Sequence, residues 1–542
     1  MTSAARTEFV KAVDDRVVAA HRYIIGLWST LTRSDDPAEA HRIPLPHPYI
    51  VPSTDIFPHL FYWDSYFTIV GLAVDGQGNL IRSMVDNFLH ELHEFGLVLN
   101  YSHPSSRTRS QPPYLTLMIC EALKQGRGLE WLSQAFVQAK REYQQVWLEG
   151  HDAPVGLSRF ADQGAPRSEL RAQFESGWDF SSRWDGRCRH VAAVDLNSNL
   201  YQYERDLALF ARLLGDEAEA AKWEAAAAAR RERMLRYCYD AEEGIFFDYD
   251  VKREEQLSDR LSLATFHSLF VGMVTPEEAE RLVQQLARFE HAGGLACTEA
   301  SYGVHRSPRR QRRYPPFNGP FQWDYPNGWA PLQWVVISGL KRYGYFEDAA
   351  RIAVKWLTMC AQVFARTGRM WEKYNVVSRD ADAVSAYRNQ KGFGWTNGVF
   401  SALLGRTIGG LEYDLARGRT VVEPLLCPTL AGQAFSAEFR GYLTDRVALS
   451  FEVSPDLRCV DVAVDDLGPL TVRVRNLFPQ AAVTVTVDGI DAKYRRQTTP
   501  YAVVVIEVSG SDGAIRVKWR AAAKPPAQAK EIERLPFFPT RS

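Results

Sequence analysis

Up to about residue 410 the apolar positions recur at three- and four-residue spacing, the period of a helix with one face in a core. The pattern is clearest over residues 9–28, 80–94, 115–122 and 206–237, and it returns over 344–366. Thr275-Pro276-Glu277-Glu278 predicts a helix start: threonine caps, proline takes the first turn, and the acids complement the positive helix end. Strand-like alternation is sparse in this region. Helices separated by loops rich in Gly, Pro and Trp predict a helical barrel or toroid whose loops carry the functional site.

After about residue 410 the period changes to two. Residues 446–453 (RVALSFEV), 470–477 (LTVRVRNL), 483–487, 501–508 and 515–519 alternate or run apolar at strand length. Asp488-Gly489 and Asp512-Gly513 supply turn signals between them. The prediction is a mainly α chain with three parts: a helical domain over 1–410, a small C-terminal antiparallel β-sandwich over 411–522, and an extended Pro/Ala/Lys tail over 523–542. The sandwich is expected to be structural, packing on the helices.

Composition narrows the function classes. In 542 residues, 64 Lys+Arg face 65 Asp+Glu, a net charge of -1, which favours neither nucleic acid nor an anionic membrane as partner. The seven cysteines are scattered without zinc spacing and read as buried reduced thiols; no metal site and no cofactor is indicated. The first residues carry acids (Glu8, Asp14, Asp15) and no apolar run of signal-peptide type, and no run is long enough to span a bilayer, so a cytoplasmic location is expected. The oligomeric state is left open.

The chemistry concentrates in loops. Glu175-Ser-Gly-Trp-Asp179-Phe-Ser-Ser-Arg-Trp184 sets one carboxylate among aromatic rings. Rings stack on the apolar face of a sugar, and their exclusion of water raises a carboxyl pKa until it can donate a proton near neutrality. Phe61-Tyr-Trp63-Asp64, Arg109-Ser110-Gln111, Gln322-Trp323-Asp324 and Trp371-Glu372-Lys-Tyr374 add further acids, amides and indoles, the last followed by Gly392-Phe-Gly-Trp395. Each has a structural alternative, a core indole beside a capping acid or, for Arg109, an ion pair. Five such loops in one helical chain point to a small carbohydrate substrate.

These five segments resemble, in order, those of the α,α-trehalase family of inverting glycoside hydrolases. The resemblance covers residues from about 50 to 410; 61–67 is similar to the second half of the first family signature and 322–331 to the second. It implies an (α/α)6 barrel and single-displacement hydrolysis of an α-glucoside. It implies Asp179 as general acid and Glu372 as general base, with Trp63, Asp64, Asn100, Arg109, Ser110, Gln111, Arg167, Glu169 and Gly177 as sugar contacts. Gln322 and Trp323 join the expected substrate-binding set.

Three positions depart from the family. Ser168 stands where proline is usual. Ile56 occupies the place of a substrate-contacting arginine, and Ala386 that of a glutamate after a glycine-rich run which residues 376–391 lack. The insertion over 299–321 carries Pro308-Arg-Arg-Gln-Arg-Arg-Tyr314, either a solvated loop or a lid meeting an anionic group. The family resemblance makes trehalose the leading substrate, and the departures at Ile56 and Ala386 weigh against it. A hydrolase of a glucosylglycerate or glucosylglycerol type, and a catalytically silent sugar-binding homologue, are the alternatives. Retention of both carboxylates favours hydrolysis over binding alone.

Overall fold

The computed structural model describes residues 15–34, 42–259, 261–300, 321–432, 434–441, 444–465, 470–498, 501–508 and 514–522. The start of the first expected helix, the basic run at 308–314, the Asp512-Gly513 turn and the 523–542 tail lie outside the described residues.

Two kinds of helix alternate along the chain. Asp15–Leu31, Gly78–Phe95, Leu129–Arg141, Glu217–Tyr237, Pro276–Gln284 and Phe346–Thr367 bury one stripe and leave the other wet. Tyr62–Leu72, Val194–Leu213, Ala330–Arg342 and Gly394–Ala402 are buried nearly all round. The buried helices touch in cyclic order: Tyr62–Leu72, Leu115–Lys124, Val194–Leu213, His267–Phe270, Ala330–Arg342, Gly394–Ala402 and back to Tyr62–Leu72. The ring thus closes between helices more than three hundred residues apart. Closure depends on two glycines, since a methyl group on Gly71 would overlap the Gly398 backbone and one on Gly398 the Phe67 carbonyl. Asp75 locks the first helix onto this seam, accepting from His21 Nε2 (3.0 Å), Trp28 Nε1 (2.8 Å) and Ser401 Oγ (2.8 Å).

The expected single helix over 206–237 is two, Val194–Leu213 and Glu217–Tyr237. Gly215 (φ 82°) turns the chain, and Asp216 caps the second helix by accepting from Glu219 N. At Thr275 the capping box forms in full, Thr275 bonding Glu278 N and the Glu278 carboxylate returning to Thr275 N.

Beyond residue 410 the chain forms two sheets. The five-stranded one runs, edge to edge, Leu411–Asp414, Arg419–Val422, Leu470–Arg475, Val503–Val508, Arg495–Gln497. The six-stranded one runs Ala434–Gly441, Thr444–Val453, Cys459–Asp465, Ala514–Ala521, Val483–Val487, Ile490–Asp491. The expectation of purely antiparallel pairing needs correcting, because Arg419–Val422 and Leu470–Arg475 pair in parallel. Between them the chain detours through the other sheet, a crossover that alternation cannot reveal. Val503 to Ile506 are buried consecutively, as in a sheet covered on both faces. Contacts with the helices include Tyr501 against Phe346 (4.8 Å) and Thr429 donating twice to Glu347. All seven cysteines are free and six are buried.

One buried group gives stability a pH dependence. Glu91 is fully buried on Gly78–Phe95; its Oε2 accepts from Leu99 N at 3.0 Å, while its Oε1 has no partner among the described residues. Burial pushes its carboxyl up to about 8 from an ordinary 4.5. Over that window the folded chain keeps a proton that the unfolded chain releases, so stability present below about pH 4.5 is lost as pH rises through 8. Glu91→Gln is expected to flatten the decline by roughly 1.4 kcal/mol per pH unit. Denaturant melts at pH 5 to 8 check this; parallel slopes in the two proteins would refute it.

Candidate active site

Asp179 sits on a loop that begins where the helix Glu169–Ser176 ends. Gly177 takes the left-handed conformation there (φ 71°), and any side chain at that position would strike the Trp63 indole, 2.7 Å from a built Cβ. The loop is fastened from behind. Arg183, fully buried, forks onto Asp195 (2.7 and 2.8 Å) and onto Asp248 (2.7 and 2.8 Å), with its guanidinium over the rings of Trp178 (4.7 Å) and Trp184 (4.2 Å). Asp324 Oδ1 accepts from Ser181 Oγ and Ser182 N, so this acid belongs to the loop's scaffold.

A two-stranded ribbon joins the remaining segments. Asn327–Trp329 pairs antiparallel with Lys373–Asn375, with Trp329 opposite Lys373, which brings Glu372 beside the loop carrying Gln322 and Trp323. Gln322 Nε2 donates to Asp179 Oδ2 at 3.0 Å. Trp323 lies flat on Trp329, 4.0 Å apart and 2° from parallel, and meets Trp178 (5.3 Å) and Trp63 (5.6 Å). Asn327 ties the two sides: its Nδ2 donates to Gln322 O and Val384 O, and its Oδ1 accepts from Val384 N.

Three carboxylates share this pocket, and their environments differ. Asp179 keeps some solvent contact, whereas Glu372 is 1% and Asp64 5% exposed. Desolvation, with the nearby negative charge of Glu372, lifts Asp179 to about 7 against the opposing pull of its own backbone N–H and the Lys373 charge. Burial first, then the charges of Glu372 and Asp179, hold Asp64 well above the usual carboxylate range. Glu372 instead has donors on both oxygens: Lys373 Nζ at 2.8 Å and Gln390 N at 3.4 Å on Oε2, Tyr387 Oη at 2.5 Å on Oε1. The pocket therefore sets a carboxyl lifted to about 7 beside another that accepts hydrogen bonds on both oxygens, in aromatic walls.

Of the residues expected from sequence, Asp179, Glu372, Asp64, Trp63, Gln322 and Trp323 come together here. Gln111, Asn100 and Ser110 form the adjoining support: Gln111 Oε1 accepts from Trp63 N (3.2 Å), Asn100 Nδ2 donates to Ser110 O and Phe174 O, and Ser110 N donates to Glu175. Arg109 is an ion pair with Asp162 (3.4 Å) and lies over Phe174. Arg167 is exposed and donates to Gln163, and Glu169 accepts from Arg189 N, neither of them bonded to the three acids. Ile56 is 51% exposed. Lys373, Tyr387 and Asn327 carried no expected role. Lys373 was visible as the neighbour of Glu372, but Tyr387, in an irregular segment fifteen residues away, had no periodic signal. Among the described residues no group of three or more His, Cys, Asp or Glu side chains could hold a metal ion, and no helix is long and apolar enough to cross a membrane.

The pocket, built of acids and indoles on loops of a helical ring, is one suited to glycosides. The trehalase family model matches residues 2–161 and 157–407, and the chain belongs to the trehalase family of glycoside hydrolases. It is 33% identical over 433 residues to the periplasmic trehalase of Salmonella schwarzengrund, covering 70% of this chain and 72% of that one. The neutral trehalase of Saccharomyces cerevisiae superposes with a TM-score of 0.58 at 28% identity, over 71% of this chain and 79% of that. A mannosylglycerate hydrolase of Thermus thermophilus shares the fold, with a TM-score of 0.52 at 17% identity, over 71% and 99% of the two chains. The expected cytoplasmic location is overturned by these relatives, since the curated ones are named periplasmic trehalases. That expectation rested on what the first residues lack, and a missing pattern places no protein in a compartment.

Proposed function

We propose that this glycoside hydrolase cleaves the α-glucosidic bond of trehalose or a closely related α-glucoside with inversion, Asp179 acting as general acid and Glu372 as general base. The observation that carries the proposal is the contrast between two carboxylates distant in sequence and close in one pocket. Asp179 is lifted to about 7, so it holds a proton to give; Glu372 takes hydrogen bonds on both oxygens, one of them from the Lys373 ammonium at 2.8 Å. In the reaction the Asp179 proton passes to the glycosidic oxygen as the bond from that oxygen to the anomeric carbon breaks. A water attacks the opposite face and yields its proton to Glu372, releasing β-glucose. Trp63 and Trp323 offer aromatic faces to the sugar, and Asp64, whose burial disfavours its anion, offers a carboxyl to a hydroxyl. Asn100, Arg109, Ser110, Gln111, Arg167, Glu169 and Gly177 are read as the further sugar-contacting loops that the family resemblance implies.

The alternation of one-faced and all-round buried helices supports reading the helical part, through residue 410, as six helix pairs, an (α/α)6 barrel with the site in its connecting loops. The strands of 411–522 are read as a second, supporting domain.

Proton NMR of a fresh trehalose digest tests the stereochemistry: inversion at the attacked carbon, with the leaving glucose keeping its α-configuration, gives α- and β-glucose in equal amounts at first, and α-glucose alone would overturn inversion. The rate should be bell-shaped in pH, its alkaline limb near 7 where Asp179 ionises. Comparing kcat/KM for trehalose with glucosylglycerate, glucosylglycerol and kojibiose decides the aglycone. Ile56 and Ala386 bring no polar group to it, so a smaller aglycone turning over faster than trehalose would mark them as the cause.

A further inference from the structure

Glu372 accepts hydrogen bonds unevenly on its two oxygens. A carboxylate oxygen takes about two hydrogen bonds. On Oε2 both places are filled, by Lys373 Nζ (2.8 Å) and Gln390 N (3.4 Å). On Oε1 there is one donor among the described residues, the Tyr387 hydroxyl at 2.5 Å. The surroundings hold these donors still. Lys373 is fully buried with its ammonium 4.7 Å from the Trp329 ring centre and 4.5 Å from that of Tyr387. The Tyr387 ring meets Phe57 edge-on at 5.5 Å. Its segment is pinned by Asn389 Nδ2, which donates to Lys373 O (3.0 Å) and Ala381 O (2.9 Å), and by the Asn327 clamp on Val384. Glu372 N closes the loop by donating to Gln390 O at 2.8 Å.

Resting on the proposed role of Glu372 as base, we infer that Tyr387 is a positioning residue for it, and that Oε1, the oxygen Tyr387 holds, is the one that takes the proton of the attacking water. Tyr387 keeps its own proton throughout. Its hydroxyl fixes the rotation of the carboxylate so that the remaining acceptor direction of Oε1 faces the pocket. The charged groups around Glu372 are Lys373, next to it in the chain, and Asp179 and Asp64 across the pocket, and Tyr387 is the neutral donor on the side of Oε1.

Tyr387→Phe keeps the ring against Phe57 and Lys373 and removes the hydroxyl, with its bond to Glu372 and its hydrogen bond with Gln322. The expected result is a kcat lower by roughly ten- to a hundred-fold with KM nearly unchanged, and an acid limb of the rate profile moved to higher pH, because the carboxylate is less readily ionised. Placing 3,5-difluorotyrosine at 387, a more acidic phenol of similar shape, should move the same limb to lower pH. A merely structural tyrosine would give neither opposed shift. An unmoved limb in both variants overturns the inference; if Tyr387→Phe fails to fold, the difluorotyrosine protein alone decides. Glu372→Gln separates the two levels: turnover surviving in it removes the base assignment itself, whereas an inactive Glu372→Gln beside a normal Tyr387→Phe removes only the role of Tyr387.

Discussion

Asp179→Asn is expected to lower kcat for trehalose by roughly a hundred- to ten-thousand-fold, the usual contribution of a positioned general acid. The change is nearly isosteric, and the amide can still accept from Gln322 Nε2, which lies 3.0 Å from Asp179 Oδ2, so the loop should hold its place. The melting temperature should therefore stay close to that of the parent while turnover falls. A second measurement makes the assignment specific to proton donation. Aryl α-glucosides with acidic phenol leaving groups need little protonation, so any that the parent accepts should lose much less rate than trehalose does. An equal loss on both kinds of substrate would mean that Asp179 does something other than protonate the leaving oxygen. Near-normal turnover of trehalose would pass the role to Asp64, because Asp324 is committed to Ser181 and Ser182.

The largest expected loss of stability follows from Arg183→Met. Arg183 is the shared partner of Asp195 and Asp248, and all three are buried. Its charge holds the Asp195 carboxyl below the ordinary range against a burial that would raise it. Removing the guanidinium leaves two desolvated carboxylates facing each other, at a cost of roughly 3–5 kcal/mol. It also removes the cation held over the rings of Trp178 and Trp184, which flank the Asp179 loop. Urea unfolding should show the drop, and activity should fall even where the chain stays folded. A midpoint within about 0.5 kcal/mol of the parent would refute the view that this triad secures the loop. Adding Asp195→Asn and Asp248→Asn to Arg183→Met should restore part of the stability, since the cost lies in unpaired charge rather than in lost packing.

Much of the local structure was legible in sequence because its causes are local. The capping box at Thr275 lies within one turn, and the hairpin turn at Asp488-Gly489 needs only two residues at positive φ, here 51° and 81°. Helical periodicity located 80–94, 115–122 and 344–366 to within a few residues of Gly78–Phe95, Leu115–Lys124 and Phe346–Thr367. It failed at 206–237, where two helices of similar period run together and only the Gly215 reversal separates them. The short strand Leu411–Asp414 was not expected, since a four-residue strand takes much of its stability from neighbours that the local pattern does not contain. Cys459–Asp465, by contrast, alternates strictly, with Val460, Val462 and Val464 buried, and was overlooked although its pattern was legible.

By itself the sequence determined where most of the helices and several of the strands lie and which loops carry acids beside indoles, because side-chain period and loop composition act over a few residues. Through resemblance of those loops it also pointed to the family. The tertiary structure decided what depends on residues far apart in the chain. The Gly71–Gly398 contact closes the ring, and the ribbon of Asn327–Trp329 with Lys373–Asn375 sets Glu372 opposite the Asp179 loop. Tyr387 reaches the Glu372 carboxylate from a segment with no pattern of its own. Protonation belongs to the same level: whether Asp179 holds its proton near neutrality depends on burial and on the charges of Glu372 and Lys373, and those distances exist only once the chain has folded.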